Sequence, residues 1–308
     1  MRIVFMGTPD FAVASLEALL RAGHTVTLAV TQPDKPKGRG NKLQSPPVKE
    51  VALRAGIPVL QPQTLRDPAV QEAIRAEQPE VIVVAAYGKL LPPAVLEIPP
   101  LGCINVHGSL LPRYRGAAPI QRAVLNGERE SGVTTMLMAQ GMDTGDMLLQ
   151  CRCPIPPEMT AGELFDRLAQ DGAELLIRTL TEWQAGRITP QPQREEEATV
   201  APMLQKQEAP LDWHCPAARL HDQVRGMNPF PVARTVLAGI PVKVYHAAPA
   251  GPVSGAPGTV TALEPLTVAC GDGNGLQLLE LQPEGGKRMP AGAFLCGHPL
   301  TVGQTAGW

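Results

Sequence analysis

Two polar side chains stand two residues apart in the segment CINVHGSLLPRYRGAAPIQ, residues 103–121. If residues 104–106 are extended, Asn105 and His107 project from the same face, because side chains alternate along a strand. A carboxylate, Asp143, lies in the glycine-rich segment AQGMDTGDML between two apolar stretches. An amide can donate to a developing oxyanion, an imidazole can stabilise it or shuttle a proton, and a carboxylate can orient the imidazole. Together these residue types predict attack on a carbonyl group.

Each of the three residues also has an ordinary structural interpretation. A histidine at a strand end is more often bonded to a backbone carbonyl than catalytic, and Asn and Asp are common turn residues. No serine in a G-x-S-x-G turn and no cysteine beside the histidine supplies a covalent nucleophile. If the site is catalytic, we therefore expect direct transfer between two bound substrates.

A cationic loop, TQPDKPKGRGNKLQSPPVK, follows the second predicted strand. Between residues 32 and 49 its local net charge is +4, in a chain whose net charge is -2. Such a loop can bind nucleic-acid phosphates, although a solvated surface loop has the same composition. The loop contains one anion, Asp34, and five cations: Lys35, Lys37, Arg39, Lys42 and Lys49.

The pattern around these residues predicts an α/β protein. Apolar strands alternate with helices, which is typical of a parallel sheet covered on both faces. We expect a Rossmann-like, doubly wound, mostly parallel sheet, with Asn105 and His107 at a carboxyl strand end where such sheets bind ligands. Strands are predicted at 2–6, 25–30, 81–86 and up to His107, and helices at about 47–55, 68–77 and 161–185, with Thr8 as the N-cap of a first helix that begins at Pro9.

Composition changes towards the end of the chain. Residues 1–190 carry the α/β pattern, and residues 191–205 read as a polar, proline-containing linker. Residues 206–308 show short strand-like pieces separated by Gly and Pro, which predict a small antiparallel β-barrel.

Several classes of protein are disfavoured by the sequence. With 308 residues and 44% hydrophobic side chains, the chain can bury a sizeable core. It has no apolar leader and no run of about 18 apolar residues, and its six cysteines are scattered, so we expect a reducing, cytoplasmic setting. The first turn, MGTPDF, lacks the G-x-G-x-x-G spacing, which argues against a nicotinamide oxidoreductase.

The motifs GTPDF, TQPDKPKGRG, SPPVK, AAYGKLLP, GCINVHGSLLPRYRGAAPIQRAVLNGE and GMDTGDML together resemble the methionyl-tRNA formyltransferase family. The resemblance runs from residue 2 to about residue 192 and continues more loosely through LDW, VRGMNPFP and GIPVKV. It implies transfer of a formyl group from 10-formyltetrahydrofolate to the amine of methionyl initiator tRNA. It also implies no metal, no nicotinamide, an OB-type second domain that assists tRNA binding, and a monomer.

The resemblance assigns roles to individual positions. Asn105, His107 and Asp143 match the family's catalytic residues, and Arg39 matches the key arginine of its tRNA-contacting loop. By the same resemblance, the folate-binding positions are Ser109, Leu110, Leu111 and Pro112 with Tyr87 and Gly88, and the tRNA-binding positions are Lys35, Lys37, Arg39 and Lys42.

The chain departs from the family in two places. Val200 and Met203 stand where relatives usually have Tyr and Lys, so one RNA-facing cation is missing. From residue 206 onwards there are seven basic and seven acidic residues, so RNA binding there must depend on local placement, for which the candidates are Arg225, Lys243, Lys287 and Arg288.

Two other functions remain open from the sequence. One is a related folate-dependent enzyme that acts on glycinamide ribonucleotide, an amino sugar nucleotide or water. The other is a catalytically silent RNA-binding protein that uses the cationic loop and the barrel. The loop and second domain argue against the first, and the co-occurrence of Asn105, His107 and Asp143 argues against the second.

Overall fold

The computed structural model describes residues 1–37 and 42–307, and the chain divides into two units. The first unit holds residues 1–119, 130–154 and 165–201, and the second holds the rest of the chain. Within the described ranges, no helix is long and apolar enough to cross a membrane.

Nine strands lie in the described part of the first unit. They are β1 Arg2–Gly7, β2 Thr25–Val30, β3 Lys35–Lys37, β4 Lys42–Gln44, β5 Val59–Leu60, β6 Val81–Ala85, β7 Cys103–His107, β8 Glu130–Leu137 and β9 Met147–Pro154. Seven of them form one sheet in the order β5-β2-β1-β6-β7-β8-β9. Pairing is parallel from β5 to β7 and antiparallel for β7 with β8 and β8 with β9.

The central strands are apolar because both faces of the sheet are covered. Residues 3–6 of β1 and 81–83 of β6 are fully buried. Flanking helices cover the two faces of the sheet. Proline occupies the first turn of α2 Pro47–Arg54, α3 Pro68–Ala76 and α4 Pro93–Leu96, where the N–H that proline lacks would have no partner within the helix. The helices that lie wholly or partly in the first unit are α1 Asp10–Arg21, α2 Pro47–Arg54, α3 Pro68–Ala76, α4 Pro93–Leu96, α5 Pro119–Leu125 and α6 Ala161–Gln184.

One local prediction was wrong. Helix α1 begins at Asp10, so Pro9 rather than Thr8 is its N-cap, and the Thr8 hydroxyl instead donates to the carbonyl of Tyr87 at 3.3 Å. Within the cationic loop, β3 and β4 pair antiparallel, with Lys35 opposite Gln44, and the two paired strands are called the hairpin. Residues 38–41 lie outside the described residues.

The second unit is built on an antiparallel sheet whose strands lie in the order β10 Ala233–Leu237, β11 Ile240–Pro252, β14 Asn274–Pro283, β13 Leu266–Ala269 and β12 Val260–Leu263. A short strand, β15 Met289–Pro290, also pairs with β14. Its core contains Trp213, whose indole N–H donates to the Thr235 hydroxyl at 3.1 Å, and the fully buried Phe294. The helices of this unit are α7 Ala217–Gly226 and α8 Ala291–Gly297, with a 3-10 turn at Lys206–Glu208. Another 3-10 turn, Glu195–Glu197, belongs to the first unit.

The predicted fold class is confirmed: a mostly parallel α/β sheet with flanking helices is followed by a smaller antiparallel β domain. Closure of that second sheet into an OB-type barrel stays a prediction.

Candidate active site

Strand β7 presents Asn105 and His107 on one face, as the spacing predicted. Both residues are buried, with exposed fractions of 8% and 6%. The Asn105 carboxamide makes no hydrogen bond with any residue in 1–37 or 42–307. A nearly buried amide without an internal partner is a group that a ligand can satisfy.

The imidazole of His107 is held at both ring nitrogens. Its Nε2 lies 3.0 Å from the carbonyl oxygen of Tyr114, and since a carbonyl only accepts, Nε2 carries a hydrogen and donates it. Its Nδ1 lies 3.6 Å from Oδ2 of Asp143, whose side chain is only 16% exposed. The structure therefore brings the predicted imidazole and carboxylate together.

Asp143 is itself fixed by the backbone. Its carboxylate accepts a hydrogen bond from the N–H of Gly116 at 2.8 Å, and its φ of 53° lies in the left-handed region that Asp tolerates better than most residues. Gly116 has a φ of 122°, and a Cβ on it would lie 2.9 Å from the carbonyl oxygen of Ala201. Glycine is required there so that its N–H can reach the carboxylate.

The predicted folate-binding segment 109–112 is held by hydrogen bonds with two side chains of strands β8 and β9. Thr134 of β8 donates to the carbonyl of Ser109 at 2.7 Å and accepts from the N–H of Leu111 at 3.1 Å. Gln150 donates to the Leu111 carbonyl at 2.9 Å. Ser109, Leu111 and Pro112 are buried, while Leu110 is half-buried. Sequence reasoning missed Thr134 and Gln150, because a threonine or glutamine in an apolar strand carries no visible signal of its partner.

Tyr87 and Gly88 follow β6, which ends beside β7. The Tyr87 ring is buried in the apolar core and its hydroxyl has no partner among the described residues; burial raises its pKa to about 12. Its carbonyl accepts from Gln32 Nε2 at 2.9 Å, and a Cβ on Gly88 would lie 2.6 Å from that nitrogen. Gly88 is exposed whereas Tyr87 is almost fully buried, so Gly88 is the part of this segment that lies open to a ligand.

A polar network holds the base of the cationic loop. Lys49 Nζ binds both carboxylate oxygens of Asp34 at 2.9 and 2.8 Å and Gln61 Oε1 at 2.8 Å. Gln61 also donates to Asp34 at 2.7 Å and to the carbonyl of Gln32 at 2.9 Å. Asp34 therefore neutralises Lys49, and the local net charge of +4 comes from the other four cations of the loop.

The other predicted RNA-binding cations differ in their surroundings. Lys35 Nζ donates to Gln32 Oε1 at 2.9 Å. Arg39 lies outside the described residues, as do the side chains of Lys37 and Lys42. In the second unit, Arg225 is buried against Asp222. Arg288, Lys243 and Lys287 are exposed, and Arg288 pairs with Glu280.

Covalent catalysis by a cysteine near the site is disfavoured. Cys103 begins β7, but burial raises the pKa of its thiol to about 12, so the thiolate is not formed near neutral pH. Among the described residues, no cluster of His, Cys, Asp and Glu could hold a metal ion.

The fold and the site define a formyl transferase of the α/β class. The "Formyl transferase" family model matches residues 1–180, and the "Formyl transferase, C-terminal domain" model matches residues 203–299. The first match alone covers more than half of the chain.

Curated relatives refine the family. The chain is 53% identical to the methionyl-tRNA formyltransferase of Trichlorobacter lovleyi, with 98% of this chain and 96% of that protein aligned. It is 50% identical to the methionyl-tRNA formyltransferase of Moorella thermoacetica, over 100% and 99% of the two chains. The chain belongs to the methionyl-tRNA formyltransferase family, as its motifs predicted.

A solved structure supports the fold. An N-formyltransferase from Helicobacter canadensis, in complex with folinic acid and dTDP-3-aminofucose, superposes with a TM-score of 0.68 at 18% identity. The match covers 90% of this chain and 98% of that one. At this identity the likeness concerns the arrangement of helices and strands.

Replacing Asp34 by Asn tests the network at the loop base. The hydrogen bond from Gln61 and the ammonium of Lys49 hold the pKa of the Asp34 carboxyl below its ordinary value. Because the folded state binds this proton less tightly than the unfolded chain, the stabilisation is present above about pH 4 and is lost as the pH falls through the lowered pKa. Asp34→Asn should lower the free energy of unfolding in urea at about pH 6 and progressively less towards about pH 3.

The matched control is Asp34→Asn in a Lys49→Met background, where its cost at about pH 6 should shrink because the cation is gone. A difference between wild type and Asp34→Asn that stays the same across this pH range would contradict the assignment.

Proposed function

We propose that this protein transfers the formyl group of 10-formyltetrahydrofolate to the α-amine of methionine esterified to initiator tRNA, for translation initiation. The observation that carries the proposal is the Asn105 amide, unpartnered within the described ranges, beside a His107 and Asp143 pair at the carboxyl end of a parallel strand. The full-length similarity to proteins named methionyl-tRNA formyltransferase supports the same substrates.

The reaction needs no covalent enzyme intermediate. A free α-amino group has a pKa of about 8, and the adjacent ester lowers it, so the nucleophile is largely neutral near pH 7. Its nitrogen attacks the formyl carbon and forms a C–N bond, while the carbonyl oxygen becomes an oxyanion. The Asn105 amide, which has no partner in the described part of the chain, donates to that oxyanion.

His107 and Asp143 manage the proton. The Tyr114 carbonyl already takes the Nε2 hydrogen, which leaves Nδ1 as the working nitrogen of His107. The proton lost by the amine passes along Nδ1 and the Asp143 carboxylate, through water, to the folate nitrogen as its bond to the formyl carbon breaks. The products are formyl-methionyl-tRNA and tetrahydrofolate, so atoms and charge balance.

The proposed folate site lies at the carboxyl ends of strands β6 and β7. Strands β6 and β7 are parallel, with Ala85 opposite Val106, so segments 87–88 and 109–112 leave the sheet on the same side. In this proposal the folate binds beside Asn105, against Ser109, Leu110, Leu111 and Pro112 and against the segment of Tyr87 and Gly88. The buried underside of 109–112 supports this placement by making the segment rigid.

The tRNA contacts are divided between two regions in this proposal. In the cationic loop, Lys35, Lys37, Arg39 and Lys42 bind backbone phosphates near the acceptor end. Residues 1–190 act as the catalytic domain, 191–205 as the linker, and 206–308 as a domain that assists tRNA binding, with Lys243 and Lys287 among its exposed cations. The enzyme acts in the cytoplasm, where translation initiates, and as a monomer.

The decisive assay mixes the protein with 10-formyltetrahydrofolate and methionyl initiator tRNA, with free methionine and uncharged tRNA as controls. Formylation of the charged tRNA alone supports the proposal. Formylation of a free amino sugar nucleotide or glycinamide ribonucleotide in place of tRNA would favour a small-molecule enzyme. Salt-sensitive tRNA binding without formyl transfer would favour an RNA-binding protein.

Asn105→Ala tests the oxyanion assignment. Loss of one oxyanion donor should reduce kcat by about 100-fold or more, because that interaction strengthens only as charge develops. Since the amide bonds to none of the described residues, the thermal midpoint should stay close to that of wild type. Turnover near the wild-type rate would rule out this role for Asn105.

Neutralising the hairpin tests tRNA binding. Changing Lys35, Lys37, Arg39 and Lys42 to Ser should raise the KM for tRNA and flatten its salt dependence by about 0.7–0.9 logarithmic units for each phosphate that the variant no longer binds. The KM for 10-formyltetrahydrofolate should not change, because Asp34 and its network are retained. Removal of four exposed cations elsewhere, at Arg21, Arg54, Arg66 and Arg75, is the matched control for total charge. Equal loss of tRNA affinity in both variants would contradict a specific role for the hairpin.

A further inference from the structure

The loop that carries Asp143 starts at the far end of strand β7. Because β8 runs antiparallel to β7, its Thr134 lies opposite His107 and its last residue, Leu137, lies opposite Ile104. The N–H of Met138 then donates to the Cys103 carbonyl. The start and the end of β7 are about 13 Å apart at about 3.3 Å per residue. The loop must therefore fold back along the sheet before its carboxylate can approach His107.

Gln193 holds this folded-back loop. Its Nε2 donates to the carbonyl of Asp143 at 2.8 Å and to the carbonyl of Gly145 at 2.7 Å. Both hydrogens of the amide are thus used on main-chain oxygens on either side of Thr144. The contact restrains Asp143 in its left-handed conformation, from which its carboxylate reaches Gly116 and His107.

The orientation of Gln193 is fixed in turn by Arg115. The Nε of Arg115 donates to Gln193 Oε1 at 2.9 Å, and the other guanidinium nitrogens bind Glu195 at 2.9 and 2.8 Å. Arginine only donates, so the amide must present its oxygen to Arg115 and its nitrogen to the two carbonyls. Arg115 is 8% exposed, and its hydrogen bonds lower the pKa of the Glu195 carboxyl, which keeps Glu195 ionised at neutral pH.

The residues on either side of Arg115 contact His107 and Asp143. Tyr114 accepts from His107 and Gly116 donates to Asp143, so these two residues flank Arg115 directly. The main chain of Arg115 pairs with the Thr199 carbonyl at 2.8 Å and the Ala201 N–H at 2.7 Å. The segment 193–201, which follows the first residues of the predicted linker, is thereby joined to the loop around Arg115.

We propose that Gln193 is a positioning residue for the formyl transfer, oriented by Arg115, that sets the separation of Asp143 and His107 through the carbonyls of Asp143 and Gly145. It touches neither substrate. This inference depends on the proposed function, in which Asp143 works through His107. It gives the segment that joins the two domains a second role, beyond connecting them.

Gln193→Met removes the amide while keeping a side chain of similar length. In the full-length enzyme kcat should fall about 10- to 100-fold, since small misplacement of reacting groups has effects of that size. The KM values for folate and tRNA should change less than about threefold, because the loss concerns the transition state alone. Gln191→Met is the matched control: within the described ranges the Gln191 side chain donates only to the Thr189 carbonyl, and its kcat should match wild type.

A double-mutant cycle distinguishes positioning from general structural support. In an Asp143→Ala background, Gln193→Met should cause little further loss of kcat, because the carboxylate it positions is gone. Additive losses, or unchanged kcat in Gln193→Met alone, would overturn the inference and leave the proposed function standing. If wild-type enzyme fails to formylate methionyl-tRNA, the proposed function itself has failed.

Gln193→Glu covers the case in which the methionine variant does not fold. The carboxylate can still accept from Arg115, but it offers acceptors in place of donors to the two carbonyls, so kcat should fall by a similar factor with the fold retained. Wild-type kcat in a folded Gln193→Glu enzyme would also overturn the inference.

Discussion

A carboxylate 3.6 Å from an imidazole, with both side chains largely removed from water, is the interaction on which the proposed formyl-transfer site depends. A carboxylate attracts a protonated imidazole more strongly in such a place than in solvent, but only if both groups stay where they are. Backbone groups of Tyr114 and Gly116 fix them, one on each side of Arg115. Tyr114 has a φ of 61°, a conformation that costs a bulky residue on the order of 1–3 kcal/mol. The pairing of this loop with Thr199 and Ala201 offsets that strain.

Hydrogen bonds also join the cationic hairpin to the end of β6. Gln32 is the shared residue: its amide nitrogen binds the Tyr87 carbonyl, its amide oxygen accepts from Lys35, and its main-chain carbonyl accepts from Gln61. Gln61 and Lys49 then hold Asp34, the residue just before the hairpin strand. The segment proposed to contact tRNA and the segment proposed to contact folate are therefore fixed to one another through one side chain.

Much of the α/β unit could be predicted from sequence, because its signals are local. Helices α2, α3 and α6 end within one residue of their predicted bounds, and the spacing of Asn105 and His107 alone placed them on one face. The pairing of Lys49 with Asp34, the burial of Arg225 and the contact of Gln193 with Asp143 could not be predicted. The first and third of these contacts join residues well separated along the chain, and the burial of Arg225 depends on tertiary packing, so a single sequence carries no pattern for any of the three.

The presence of Val200, where relatives usually have Tyr, is tolerated because the contacts of this segment are made by the main chain. Arg115 and Val200 form an isolated parallel bridge, but its hydrogen bonds use the main chain of Arg115, Thr199 and Ala201. The Val200 side chain is 75% exposed, so exchanging an aromatic ring for valine alters none of these bonds. Valine also favours the extended conformation that the bridge needs. Because backbone atoms hold His107 and Asp143, the sequence can change at the outward positions of this segment. Gly116 and the amide of Gln193 supply the contacts themselves, so neither can be replaced without moving Asp143.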